Sequence, residues 1–179
     1  TMARLNGYGV GMVTSGPGAT NILTGVCSAY YDSVPCFFIT GQVGQIHIKK
    51  SRSYRQYGFQ ETDVVSIFKS VTKYVKQIKS PDEIGYELQK AYHISKDGRP
   101  GPVLLDIPFN IQVSNINPKK IKKFKIKIKK SNNEINKLKK IQFFLDKSKK
   151  PIFLIGGGIK NSKFKDQLLN ILKKNHLPF

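Results

Sequence analysis

Short apolar runs alternate along much of this chain with segments whose apolar residues recur at helical spacing. Residues 9–14, 35–40, 70–75 and 101–107 read as strands, and 19–31, 64–68 and 81–95 read as helices. Strands that are apolar throughout need cover on both faces, so the pattern predicts an α/β domain on a mainly parallel sheet. The helix at 81–95 has the clearest signals. Ser80 suits the N-cap, Pro81 the first helical position, Asp82 and Glu83 the first turn, and Gly98 follows the end. Ile84, Leu88, Ala91 and Tyr92 are its expected buried stripe.

Composition changes after Pro108. Residues 114–130 carry neither turn punctuation nor steady helical period and read as a linker, although 125–129 alternates Lys and Ile like an edge strand. A second unit follows: a helix at 134–147, a buried strand at 151–155 closed by Gly156-Gly157-Gly158, and a helix at 162–174. Residues 1–7 resemble the tail of a helix and Leu177-Pro178-Phe179 the opening of a strand, so both units are expected to continue beyond the sequence.

The stretch with the most chemical content is Thr14-Ser15-Gly16-Pro17-Gly18-Ala19-Thr20-Asn21, between the first strand and the first helix. Glycines there allow a ligand to approach the backbone, and the first N–H groups of the helix point outward unpaired. A polar ligand held at a strand-to-helix switch is one reading; a plain connection between the two elements is the other.

The formal charge is +20, from 31 Lys and Arg against 11 Asp and Glu. This charge suggests an anionic partner, and a basic module using the lysine-rich tract 119–150 for nucleic acid is the alternative reading of the chain. Its placement argues against that reading and for no nucleic-acid partner: the lysines crowd one tract with no recognition motif, whereas 7–41 holds a single charged residue, Asp32. Cys27 and Cys36 lack metal-ligand or disulfide spacing and read as small buried hydrophobes. His47, His93 and His176 are scattered. No apolar run approaches the roughly 20 residues that span a bilayer, so a cytoplasmic protein without membrane partners is expected. A dinucleotide site at Gly156-Gly157-Gly158 ranks last, because the triplet lacks GxGxxG spacing and a following acid.

Five segments together resemble the acetolactate-synthase-like family of thiamine-diphosphate-dependent enzymes. They are the TSGPGATN run, Tyr31-Asp32-Ser33-Val34-Pro35 leading into Ile39-Thr40-Gly41-Gln42-Val43, Gly58-Phe59-Gln60-Glu61-Thr62-Asp63, Ser70-Val71-Thr72-Lys73, and Gly98-Arg99-Pro100-Gly101-Pro102-Val103. The resemblance implies a partial pyrimidine-binding domain over 1–113, a basic linker over 114–131 and the start of a Rossmann-like central domain over 132–179. It further implies thiamine diphosphate as cofactor, a 2-oxo acid such as pyruvate as substrate for decarboxylation or carboligation, and a homodimer or tetramer. Magnesium would be bound by a domain outside this sequence, the glutamate that activates the pyrimidine ring would lie upstream of Thr1, and FAD would be a further ligand. The chain alone is expected to be inactive.

By the same resemblance Thr14, Pro17, Gly18 and Asn21 flank the pyrimidine ring, Phe59 and Gln60 approach the thiazolium and substrate with Gln60 as the catalytic amide, and Arg99 contacts FAD. Local roles compete with each. Pro17 and Gly18 also suit the turn, Asn21 a helix cap, Gln60 and Glu61 the polar start of a helix, and Arg99 a surface ion pair. Lys73 reads as structural. The chain departs from the family in its long basic loop 44–57, in Gly44 where proline is usual, and in Phe109-Asn110 where Lys-Asp is usual. These departures point to a branch other than acetolactate formation, such as the members in surface-sugar biosynthesis.

Overall fold

A computed structural model describes residues 2–51, 53–126 and 133–179. These fall into two compact units, Thr1–Ile126 and Lys127–Phe179. The first opens with helix α1 (Met2–Asn6), strand β1 (Gly9–Val13), the short helix α2 (Pro17–Asn21), helix α3 (Leu23–Tyr31) and strand β2 (Cys36–Gln42). It continues with α4 (Val64–Phe68), β3 (Tyr74–Gln77), α5 (Ile84–Lys96), β4 (Val103–Pro108) and α6 (Phe109–Gln112). All four strands are parallel, in the order β1-β2-β4-β3.

Alternation along the central strands divides the core between the two faces of the sheet. On one face Leu104 packs with Ala19, Val26, Val64 and Phe68, and Phe38 leans on them. On the other, Phe37, Val103 and Leu105 pack with Ile78, Ala91 and Ile111. Every residue of β4 but Ile107 is buried, as expected of a strand covered on both sides. β1 lies at the edge and is less covered; Val10 and Met12 are exposed.

Three expectations in this unit need local correction. The strand expected over 70–75 begins only at Tyr74, as β3 (Tyr74–Gln77). The helix expected over 19–31 is two helices, broken at Ile22, which ends α2 and caps α3. In α5 the buried positions are Glu87, Ala91 and Ser95, while Leu88 and Tyr92 are exposed. The rotation has a polar cause: Tyr74 Oη donates to Glu87 at 2.6 Å and Lys76 Nζ at 2.7 Å, so the carboxylate faces the sheet with its partners. The cap of that helix is as expected. Ser80 and Glu83 form a reciprocal capping box, and Gly98 sits beyond the end with φ +60°. Residues after α6 pack back on α5: Phe124 stacks edge-on against Tyr86, and a Cβ on Gly85 would lie 2.3 Å from Ile121 Cγ2.

The second unit holds α7 (Asn133–Lys147) and α8 (Lys165–Lys174). Between them the expected buried strand at 151–155 is not a strand; Ile152 and Leu154 are exposed. An apolar run becomes a strand only where a neighbour completes its ladder. Among the described residues it has one such bond, from Phe153 N–H to the Pro178 carbonyl at 2.9 Å. The alternating stretch 125–129 falls largely outside the described residues.

Candidate functional site

Beyond the C-terminal ends of β1 and β2 the chain opens a cleft of ≈ 460 Å³, lined by Met12, Thr14, Ser15, Gln42, Val43 and Phe109. Parallel sheets present ligand sites at this edge, where loops leave the strands. Thr14 and Ser15, which lead into the glycine bend, form one side. Gly16 has φ +58° and is buried, and a Cβ there would lie 2.7 Å from the Gln60 carbonyl oxygen. Gly18 faces Thr14 so closely that a Cβ would meet its Cγ2 at 2.6 Å. Pro17 then starts α2 at the position where its missing N–H costs nothing.

Gln60 itself has φ +60°, a conformation that non-glycine residues adopt at a cost of roughly 1 kcal/mol or more. Its neighbours hold it there. The buried Glu61 carboxylate accepts from Lys49 N at 2.9 Å and Tyr57 N at 2.8 Å, tying the basic loop to this segment. Gly58 is pressed against His47, whose carbonyl oxygen would lie 2.7 Å from a Cβ at that position. The helix that follows is capped by Asp63, which accepts from Ser66 N, so Gln60 and Glu61 stand outside it. Phe59 projects into solvent, 86% exposed. Gln45 and Asn110 close the other end of the loop with a reciprocal pair of bonds at 2.9 and 2.8 Å.

The structure thus brings Thr14, Gly18 and the Gly16 turn to one place with Gln60. Asn21 is exposed at the end of α2 and makes no capping bond to α3. Arg99 stands apart. It precedes β4, at the opposite end of the sheet, where it donates to Ser33 Oγ at 2.7 Å and the Tyr31 carbonyl at 3.1 Å. With Tyr30, Tyr31 and Lys73 it lines a separate cleft of ≈ 300 Å³. Lys73 Nζ there donates to the Asp97 carbonyl, and burial lowers its pKa.

Sequence reasoning overlooked Asp106. This fully buried carboxylate sits in β4 level with Thr40 of β2 and Gln77 of β3. It accepts from Thr40 Oγ1 at 2.7 Å, Gln77 Nε2 at 2.8 Å and Gln42 Nε2 at 3.2 Å. Burial pushes its pKa up, and the three donors oppose the shift without cancelling it. An acid inside a run that must be covered on both faces was the available signal. Among the described residues no cluster of His, Cys, Asp and Glu suits a metal ion, and no helix is long and apolar enough to cross a membrane.

A parallel α/β sheet with a glycine bend at its ligand edge is consistent with a thiamine diphosphate domain, and residues 1–67 match the family described as thiamine pyrophosphate enzyme, N-terminal TPP binding domain. Over most of its length the chain is also similar to acetolactate synthase large subunits. It is 38% identical over 174 residues to the acetolactate synthase large subunit of Lactococcus lactis, covering 95% of this chain and 29% of the relative. The probable acetolactate synthase large subunit of Methanocaldococcus jannaschii is 36% identical over 185 residues, 98% of this chain and 30% of the relative. Acetolactate synthase 2, chloroplastic, of Nicotiana tabacum is 36% identical over 166 residues, 89% of this chain and 24% of the relative. The chain therefore spans less than a third of the length of these relatives.

Proposed function

We propose that this chain forms one wall of the thiamine diphosphate site in an enzyme that decarboxylates pyruvate or a related 2-oxo acid and carries out carboligation. The observation that carries this reading is the backbone contact of Gly16 with Gln60 beside the open cleft. The residues suit the group: the bend packs its glycine backbone closely on Gln60 and Thr14, where side chains at Gly16 and Gly18 would collide, and so sets Thr14 and Ser15 on the wall of the cleft. Bound thiamine diphosphate supplies the carbanion-stabilising chemistry. The protein's share is enclosure and orientation. Thr14, Pro17, Gly18 and Asn21 flank the pyrimidine ring, Phe59 shields the reacting end from water, and the Gln60 amide orients the substrate by hydrogen bonding.

In this reading residues 1–113 belong to the pyrimidine-binding domain, 114–131 link it to the central domain, and 132–179 begin that domain. Magnesium and the diphosphate are held by residues outside this sequence. Arg99, with Tyr30 and Tyr31 in the second cleft, would hold FAD: a guanidinium and rings suit an anionic planar ligand. The enzyme works in the cytoplasm as a homodimer or tetramer. Its relatives' names support acetolactate synthesis, whereas Phe109 in the cleft favours a different second substrate.

The test is turnover of pyruvate by the longer protein that carries this sequence. Activity is expected only with thiamine diphosphate and magnesium, and Gln60→Ala is expected to lower kcat about tenfold or more. The 179-residue chain alone is expected to show none. Turnover that needs no thiamine diphosphate, or that Gln60→Ala leaves unchanged, contradicts the reading.

A further inference from the structure

The buried Asp106 carboxylate has no part in the chemistry above, yet its bonds lead to the candidate site. Thr40, Gln77 and Gln42 all present donors to it, so the carboxylate is purely an acceptor. Gln42 is the branch that leaves the sheet. Its Nε2 donates to Asp106 and also to the Thr62 carbonyl at 2.8 Å, while its Oε1 accepts from Val43 N at 3.0 Å. An amide reversed at Gln42 would turn its oxygen toward the carboxylate and toward the Thr62 oxygen, and lose all three bonds. Asp106, the Thr62 carbonyl and the Val43 N–H together fix which way Gln42 faces, and Asp106 is the partner that ties the amide to the sheet. Thr62 lies two residues after Gln60, in the segment that keeps Gln60 at φ +60° against Gly16.

We propose that Asp106 is a positioning residue: through the Gln42 amide it holds the Thr62 backbone and so sets Gln60 against the glycine bend. The inference rests on the functional reading for its consequence in catalysis, but not for the local ordering. Thr40 and Gln77 also donate to the carboxylate from the flanking strands, but the place of Asp106 is set by β4 itself, paired on both sides in the sheet. Gln42 is the arm that transmits that fixed position outward.

The experiment has two arms. In the 179-residue chain, amide hydrogen exchange is followed by mass spectrometry in Asp106→Asn, Gln42→Met and the control Thr40→Val. Asp106→Asn puts an NH₂ group where a donor already points, Gln42→Met removes the arm alone, and Thr40→Val removes a donor that does not reach the loop. Residues 58–62 are expected to exchange about tenfold faster or more in the first two variants and no faster in the control. Should Asp106→Asn fail to fold, Gln42→Met decides. Unchanged exchange at 58–62 in Gln42→Met, or an equal rise in Thr40→Val, overturns the inference.

In the longer enzyme, Gln42→Met and Gln60→Ala are compared singly and together with pyruvate and thiamine diphosphate. A loss in kcat with KM held within about twofold, and a double variant no worse than Gln60→Ala alone, are the expected results. Additive losses overturn the inference. If the unsubstituted enzyme lacks thiamine-dependent turnover, the functional reading fails, and the exchange arm still decides the local one.

Discussion

Gly16 and Gln60, far apart in sequence, meet backbone to backbone: a Cβ on the glycine would lie 2.7 Å from the Gln60 carbonyl oxygen. Both residues have positive φ, +58° and +60°. A bend that glycine alone accommodates is thus pressed on a glutamine held in a conformation it adopts reluctantly. Strain kept at one spot on the ligand edge of a sheet is a feature that selection for stability alone would remove.

Gly16→Ala is the direct probe of that contact. The methyl group collides with backbone, which has little freedom to yield, and the positive φ adds its own cost. The variant is expected to lose about 1–3 kcal/mol of stability, measured by urea unfolding, and to lose thiamine diphosphate binding in the longer enzyme, measured by calorimetry. Binding retained at wild-type affinity would separate the bend from the cofactor.

Asp106 should leave a signature in pH dependence. Burial raises its native pKa above the ordinary 3.8, so the folded state holds the proton more tightly than the unfolded one. The contribution of this group is therefore most favourable below 3.8, declines as pH rises through the native value, and is level above it. Subtracting the Asp106→Asn unfolding profile from that of the parent isolates the effect. The difference is expected to shift against the parent as pH climbs; a shift the other way contradicts the assignment.

Glu83 predicts the opposite sign. Desolvation works to raise its pKa, but Lys76 at 2.7 Å and the backbone donors of Lys79 and Ser80 outweigh it and lower the value below 4.5. Its contribution is present above pH 4.5 and fades as pH falls through the native value. Glu83→Gln, which also weakens the capping box, is expected to cost about 0.5–1 kcal/mol near neutral pH because the pair is partly exposed. Paired unfolding curves of parent and variant, separated at about pH 7, should draw together as pH falls below 4.5 through the native value.

Phe109 tests what the cleft prefers. It is 60% exposed at the start of α6, so Phe109→Lys is expected to alter stability by no more than about 0.5 kcal/mol. A cation at the cleft should draw an anionic substrate, lowering KM for pyruvate about two- to fivefold at low salt. Steady-state kinetics in the longer enzyme at two salt concentrations checks both the direction and the screening.

The sequence by itself determined the repeating strand-and-helix order, the parallel sheet, the capping of α5 and the glycine bend. These are local matters: periodicity, backbone freedom and cap chemistry act within a few residues, and they can be read from a few residues. Tertiary structure alone decided the rest. Glu87 turns inward because Tyr74 and Lys76 wait in β3, the apolar run at 151–155 stays unladdered, and Asp106 is tolerated because three other side chains donate to it. Each outcome depends on a partner in another element of the fold, and a hydrogen bond or ladder exists only where both of its ends arrive together.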